Sequence, residues 1–136
     1  MGKLHLEVIT PERVVVSKDV DIVVAPGSQG EFGVLESHVP FLSGLVPGEL
    51  RFTSEGHTEY LAVTTGFAEV SNNNVSILVD AAEKAEEIDI ERARQAMDRA
   101  KEKLAKDRNT DDIDFLRAES ALKRAIVRMK VAEKVK

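Results

Sequence analysis

The chain has 136 residues, 43% hydrophobic and 32% charged, with a net charge of −5, a balance that excludes disorder along its whole length. Cys and Trp are absent and aromatics reach only 4%, which excludes disulfides, thiolate chemistry and cysteine-ligated zinc and argues against a base-stacking platform. Apolar runs extend only a few residues, far short of a membrane span, so a membrane role is expected only through a partner protein.

The charge is unevenly placed. Residues 1–80 carry 4 Lys+Arg against 11 Asp+Glu, residues 81–136 carry 15 against 13, and within these residues 115–136 carry 7 against 2. An acidic body with a basic tail argues against nucleic-acid binding and points the tail toward an acidic surface. A solvated helix face would show the same charge.

In chain order, Met1-Gly2-Lys3-Leu4-His5-Leu6-Glu7 alternates polar and apolar residues and enters a strand directly, with no signal or transit pattern. Short runs rich in Val, Ile, Leu or aromatics follow: Leu4–Thr10, Val14–Val16, Val20–Ala25, Leu50–Thr53, Tyr60–Thr64, Phe67–Val70 and Val75–Val79. Between them lie Pro26-Gly27-Ser28, Pro47-Gly48, Ser54-Glu55-Gly56 and Asn72-Asn73-Asn74. Gly and Asn tolerate positive φ and Pro presets one turn angle, so these segments are turns for a mechanical reason. Many short strands at close spacing predict an all-β sandwich or barrel over residues 1–82. The Gly-rich stretch Gly27–Leu35 lacks the Lys and Ser/Thr of a phosphate loop. It reads as turns and bulges, or as a contact loop with Glu31 and Phe32 at its tip.

After residue 80 there is neither Gly nor Pro. Glu83 to Lys106 is rich in helix formers, Asp107-Arg108-Asn109-Thr110 interrupts, and a second helix is expected from a cap at Thr110 or Asp111. Asp111, Asp112 and Asp114 fall in its first turn, where the helix dipole favours negative charge. Two helices joined by so short a link should fold back as an antiparallel hairpin over 83–136. Ile90, Ala93, Met97, Ala100 and Leu104 form one stripe, and Phe115, Ala118, Leu122, Ala125, Met129 and Ala132 the other. Five of these eleven positions are Ala, so the seam closes on little apolar area. Such a seam suits a hairpin that opens, and equally a short static one.

Sites for chemistry are scarce. His5, His38 and His57 have no metal-binding spacing, and no nucleophile motif of the Gly-x-Ser-x-Gly kind is present, so no catalytic or metal residue is expected. The tail is more specific. Arg124 and Arg128 are four apart and Asp89 and Arg92 three apart, so each pair shares a helix face. Guanidinium forks suit phosphate oxygens, although Arg on a helix face is usually just solvated.

Several segments together resemble the epsilon subunits of bacterial F-type ATP synthases. They are Leu6-Glu7-Val8-Ile9-Thr10-Pro11-Glu12, Gly30-Glu31-Phe32-Gly33-Val34-Leu35 with His38-Val39-Pro40, and Thr65-Gly66-Phe67-Ala68-Glu69-Val70 with Asn74-Val75. Asp80-Ala81-Ala82-Glu83 with Ile88-Asp89, Asp112-Ile113-Asp114, and Leu122-Lys123-Arg124-Ala125 complete the order of motifs. Glu36-Ser37 departs from the family's frequent Pro-Gly before the histidine.

The resemblance implies an N-terminal sandwich seated on the gamma subunit and the c-ring of a proton-translocating synthase at the cytoplasmic face of a bacterial membrane. Glu31 and Phe32 would then meet the c-ring, and His38 would lie near gamma. It also implies C-terminal helices that lie folded or extend along gamma toward the alpha and beta subunits, where they inhibit ATP hydrolysis. In some members ATP holds the hairpin folded. Their motif Ile/Leu-Asp-x-x-Arg-Ala matches Ile88, Asp89, Arg92 and Ala93, and Glu83, Arg99, Arg124 and Arg128 fall on positions those members use. No cofactor is implied, and ATP is the regulatory ligand. A brace that couples without sensing nucleotide is the alternative.

Overall fold

The computed structural model describes residues 3–106 and 112–135, in two compact units that part between Lys84 and Ala85. The first unit holds ten strands: β1 (Leu4–Ile9), β2 (Val14–Val20), β3 (Ile22–Gly27), β4 (Gly30–Leu35), β5 (Phe41–Leu45), β6 (Gly48–Ser54), β7 (His57–Val63), β8 (Gly66–Ser71), β9 (Asn74–Val79) and β10 (Ala82–Lys84). Their pairing runs β10-β7-β6-β3-β5-β8-β9-β1-β2, with β4 on β3. The β3–β5 link is the single pair Gly27↔Leu45, so the sheet divides there into the two layers of a sandwich.

Alternation explains which side of each strand turns inward. In β1, Leu4, Leu6 and Val8 are buried while His5, Glu7 and Ile9 are half-buried. The core between the layers joins Leu4, Leu6, Val20 and Ile77 to Val23, Val34, Leu50, Phe52 and Leu61. Turn chemistry fixes the register. Asn72 and Asn73, at φ 50° and 62°, close the β8–β9 hairpin, and Glu55 and Gly56, at 53° and 78°, close β6–β7. Gly66 is required by proximity, because a Cβ there would collide with the Leu78 carbonyl oxygen. Ser37 takes φ 67° and donates its N–H to Asn73 Oδ1 at 2.7 Å. The left-handed turn before His38 therefore stands without a glycine.

Three sequence expectations change. Gly27–Leu35 is a hairpin, with Gly27 paired to Gly30 and β4 running to Leu35. Glu31 is exposed on that strand, but Phe32 is half-buried against the core, so the two do not share an exposed tip. Residues 83–87 are not α-helical. Glu83 and Lys84 pair with Ala62 and Leu61 as part of β10, which moves the end of the sandwich from residue 82 to 84, and a 3₁₀ turn covers Ala85–Glu87. A backbone already held in a ladder cannot also supply helical hydrogen bonds, which is why good helix formers lose here.

The second unit contains α1 (Ile90–Lys106), α2 (Asp112–Ala132) and a terminal 3₁₀ turn (Glu133–Val135). The turn before α1 packs on the end of α2 and on the turn after it, so the helices run antiparallel. The expected caps at Thr110 and Asp111 lie outside the described residues. All five seam alanines, Ala93, Ala100, Ala118, Ala125 and Ala132, are buried. Ile90, Met97, Leu104, Phe115, Leu122 and Met129 are only half-buried. The helices thus meet through their smallest side chains.

Candidate functional site

The residues matching the nucleotide motif have distinct structural roles. Ile88 is buried, and Ala93 is a fully buried seam residue, so both act by packing. Asp89 caps α1: its Oδ1 accepts the Arg92 N–H at 3.1 Å, and its carbonyl accepts that of Ala93 at 3.0 Å. That cap satisfies an orphan donor and explains why the helix begins at Ile90. The Arg92 side chain is exposed. Glu83, on β10, belongs to the sandwich unit, and the other seven predicted nucleotide residues belong to the helical unit.

Arg99 and Arg124 come together. Both line a groove of about 830 Å³ between α1 and α2, a volume within the range of small-ligand sites. Lys103 and Arg117 line it too, and Ala100, Ala118 and Ala121 give it a smooth apolar floor. Ile88, Asp89, Arg92, Ala93 and Arg128 are not among its lining residues. Arg128 follows Arg124 by one helical turn on the same face and is half-buried. Sequence reading missed Lys103 and Arg117. The signal was there: Lys103 stands four residues after Arg99, and Arg117 seven before Arg124.

The second candidate surface lies on the sandwich. The Arg51 guanidinium on β6 grips Glu31 through both nitrogens, at 3.0 and 3.2 Å, and also reaches Glu49 at 3.2 Å. The hydrogen bond to Glu31 is the main reason that the Arg51 pKa is raised above its ordinary value; burial opposes the rise and Glu49 adds to it. Phe41 stands edge-on between Phe32 and His38, with ring centroids 5.1 and 5.8 Å away. His38 Nδ1 bonds the Val39 carbonyl at 2.7 Å, which fixes the ring. Leu35, Val39 and Leu42 are 59%, 69% and 68% exposed nearby in the chain, an apolar surface of the kind that partners cover. Arg51 and Phe41 organise the predicted contact residues, and sequence reading named neither.

A β-sandwich followed by a two-helix hairpin defines the class of this molecule. The chain belongs to the ATP synthase delta/epsilon chain family, whose beta-sandwich domain matches residues 3–85 and whose long alpha-helix domain matches residues 86–133. It is 52% identical to the ATP synthase epsilon chain of Nitratidesulfovibrio vulgaris (strain DP4) over 128 residues, covering 94% of each protein. It is also 52% identical to that of Syntrophobacter fumaroxidans over 132 residues, covering 97% of each. Among solved structures it resembles a chain of the Euglena gracilis mitochondrial ATP synthase, OSCP/F1/c-ring in rotational state 1. The TM-score is 0.82 at 26% identity, covering 98% of this chain and 82% of that one. Among the described residues no helix is long and apolar enough to cross a membrane.

Proposed function

We propose that the chain is a non-catalytic rotor subunit in the central stalk of a bacterial F-type ATP synthase. Its sandwich sits on the gamma subunit and the c-ring, with Glu31, Phe32 and His38 at those contacts, peripheral to the cytoplasmic face of the membrane. Its hairpin is a two-state element. Folded, it is held by ATP; extended toward the alpha and beta subunits, it inhibits hydrolysis. Family membership and the likeness to a chain of a solved ATP synthase assembly support the stalk role.

One observation carries the switch: Arg99 and Arg124 face a common groove across a seam whose buried positions are alanines. Burial stabilises by about 25 cal/mol per Å², so an Ala seam contributes much less than a Leu seam of equal length. A ligand that binds only the closed form adds roughly 1.4 kcal/mol for each tenfold excess over its Kd. An element so lightly closed is governed by that amount.

The test is Arg124→Ala in the full chain, with ATP titrated against backbone amide NMR signals. The expected result is loss of the ATP-induced shifts at Arg92, Arg99 and Arg128, with the sandwich signals in place. Unchanged ATP affinity would refute the site. In the assembled enzyme, deletion of residues 85–136 should relieve inhibition of hydrolysis and leave assembly intact; loss of assembly would favour the brace. The deletion begins after Lys84 because residues 82–84 belong to the sheet.

A further inference from the structure

Among the described residues, Ser37, Glu55, Asn72 and Asn73 are the ones other than glycine that take positive φ. Two of them, 36 positions apart in the chain, are bonded to each other: the Ser37 N–H donates to Asn73 Oδ1 at 2.7 Å. Both stand where glycine is the favoured residue. Leu35-Glu36-Ser37-His38 is a turn closed by the His38 N–H on the Leu35 carbonyl at 3.1 Å, and its third residue alone, Ser37, takes positive φ, 67°. A left-handed third residue marks a type II turn, which takes Gly or Asn there. Asn72-Asn73 joins β8 to β9 with φ 50° and 62°, as in a type I′ turn, whose second place favours Gly. A glycine at 73 would relieve that turn but has no side chain with which to hold Ser37. Asn73 is anchored on its backbone as well, since its carbonyl accepts the His5 N–H at 2.9 Å. Lys3 reaches Glu36 at 3.9 Å, but both side chains are more than half exposed, so this second tie adds little.

We infer that Asn73 is a positioning residue for the proposed docking surface: by taking the Ser37 N–H it holds the Leu35–His38 turn left-handed, and so sets the pose in which His38, Val39 and Phe41 meet a partner. The inference rests on the reading above that puts His38 at the stalk contacts. The path from Asn73 to that surface is short. Ser37 precedes His38, whose Nδ1 bonds the Val39 carbonyl at 2.7 Å and whose ring lies 5.8 Å from that of Phe41. Val39 itself is 69% exposed. A turn that left the left-handed region would redirect the backbone at His38, and these side chains would move with it. Serine is disfavoured in that region, because its Cβ crowds the carbonyl oxygen that follows. The bond to Asn73 offsets this, and a hydrogen bond of this kind shifts a local equilibrium by roughly two- to tenfold. Asn73 is a firm anchor because the strands on either side of it are paired from Gly66↔Val79 to Ser71↔Asn74. A turn ordered in advance spares the complex that ordering on binding.

The experiment measures docking of the full chain on the alpha, beta and gamma subunits and c-ring of the same enzyme, freed of this chain. Urea unfolding and the NMR signals of His38 are followed beside it. Asn73→Gly should dock roughly three- to tenfold more weakly, and its His38 ring signals should lose the shift that the Phe41 ring imposes. Its urea midpoint should hold or rise, because Asn-Gly is a favoured type I′ pair. A residue that served stability alone would move both readouts the same way. Ser37→Gly/Asn73→Gly should return to within about twofold of wild type in docking, because glycine keeps the left-handed turn unaided. Val39→Asp checks the underlying reading by placing a charge on the surface itself, and should weaken docking. If Asn73→Gly docks like wild type while Val39→Asp does not, the inference is overturned and the docking surface stands. The inference is overturned too if the double variant stays as weak as Asn73→Gly, or if Asn73→Gly lowers the urea midpoint along with docking. If Val39→Asp docks as tightly as wild type, the reading of the contact itself falls and the inference with it.

Discussion

The sandwich and the hairpin close on different currencies of side chain. Between the sheets, Phe52, Leu4, Leu6, Leu50, Leu61 and Ile77 are all less than 2% exposed. Along the hairpin seam the buried positions are alanines, while the larger seam residues stay half in solvent. Close packing of large side chains resists any displacement, because each loses many contacts at once. An alanine seam lets two helices approach closely and forfeits little when they part. The difference teaches that the two units differ in side-chain size at their contacts as well as in secondary structure, large apolar residues closing the sandwich and alanines the hairpin.

The largest expected effect tests that contrast directly. Leu50→Ala, at a fully buried position of β6, should lower the stability of the sandwich by about 2–5 kcal/mol in urea unfolding. On the hairpin, Ala100→Gly should cost about 1 kcal/mol, chiefly through helix propensity, and should leave the sandwich transition in place. If the two substitutions shifted one common transition by equal amounts, the two regions would be a single cooperative unit and the comparison would fail.

A middle-sized effect separates packing from ligand chemistry at the start of α1. Asp89→Ala removes the cap on Arg92 N–H and should cost about 1 kcal/mol of helix stability. Asp89→Asn keeps an oxygen to accept that bond and should cost much less, as amide exchange over the first turn of α1 would show. If Asp89 also contacts nucleotide through its charge, the Asn variant binds ATP more weakly while the helix stays capped. If both variants lose ATP binding only in proportion to lost helix, Asp89 acts as a cap alone.

Much of this was legible from residues. The turn residues Glu55-Gly56 and Asn72-Asn73 marked two hairpins because only certain residues accept positive φ. The Ala positions of the seam followed from their spacing, and every one is buried. The losses have a physical cause as well. β4 and β5 are interrupted by Gly33, Ser43 and Gly44, so composition hid their pairing. Glu83 and Lys84 read as helix because propensity is local, while their pairing with Leu61 and Ala62 is not. For the same reason Arg51 and Phe41 escaped, whereas Lys103 and Arg117 carried a same-face spacing and lacked only the knowledge of which helix faces meet. Arg51 and Phe41 matter through neighbours distant in sequence, Glu31 and Phe32, and no spacing rule reaches across strands.

The smallest expected effect concerns the Glu31–Arg51–Glu49 network. Arg51 is held by two carboxylates yet is partly exposed, so Arg51→Met should change sandwich stability by less than about 1 kcal/mol. Its pH behaviour is also determined. A group whose folded pKa is raised contributes stability fully present below its unfolded value and lost only as pH rises through the folded one. For an Arg raised above its already strongly alkaline ordinary value that window lies far into alkali, so titration of Arg51 contributes no pH dependence between about pH 6 and 9. The consequence for Glu31 is larger than for stability. Released from its fork, Glu31 becomes a free charge on β4, so if the proposed contact of Glu31 with the c-ring holds, the variant should dock there with altered salt dependence while its urea midpoint barely moves. A large fall in urea midpoint would show the pair to be a structural clamp, and would make the sandwich surface, like its core, part of what keeps that unit rigid.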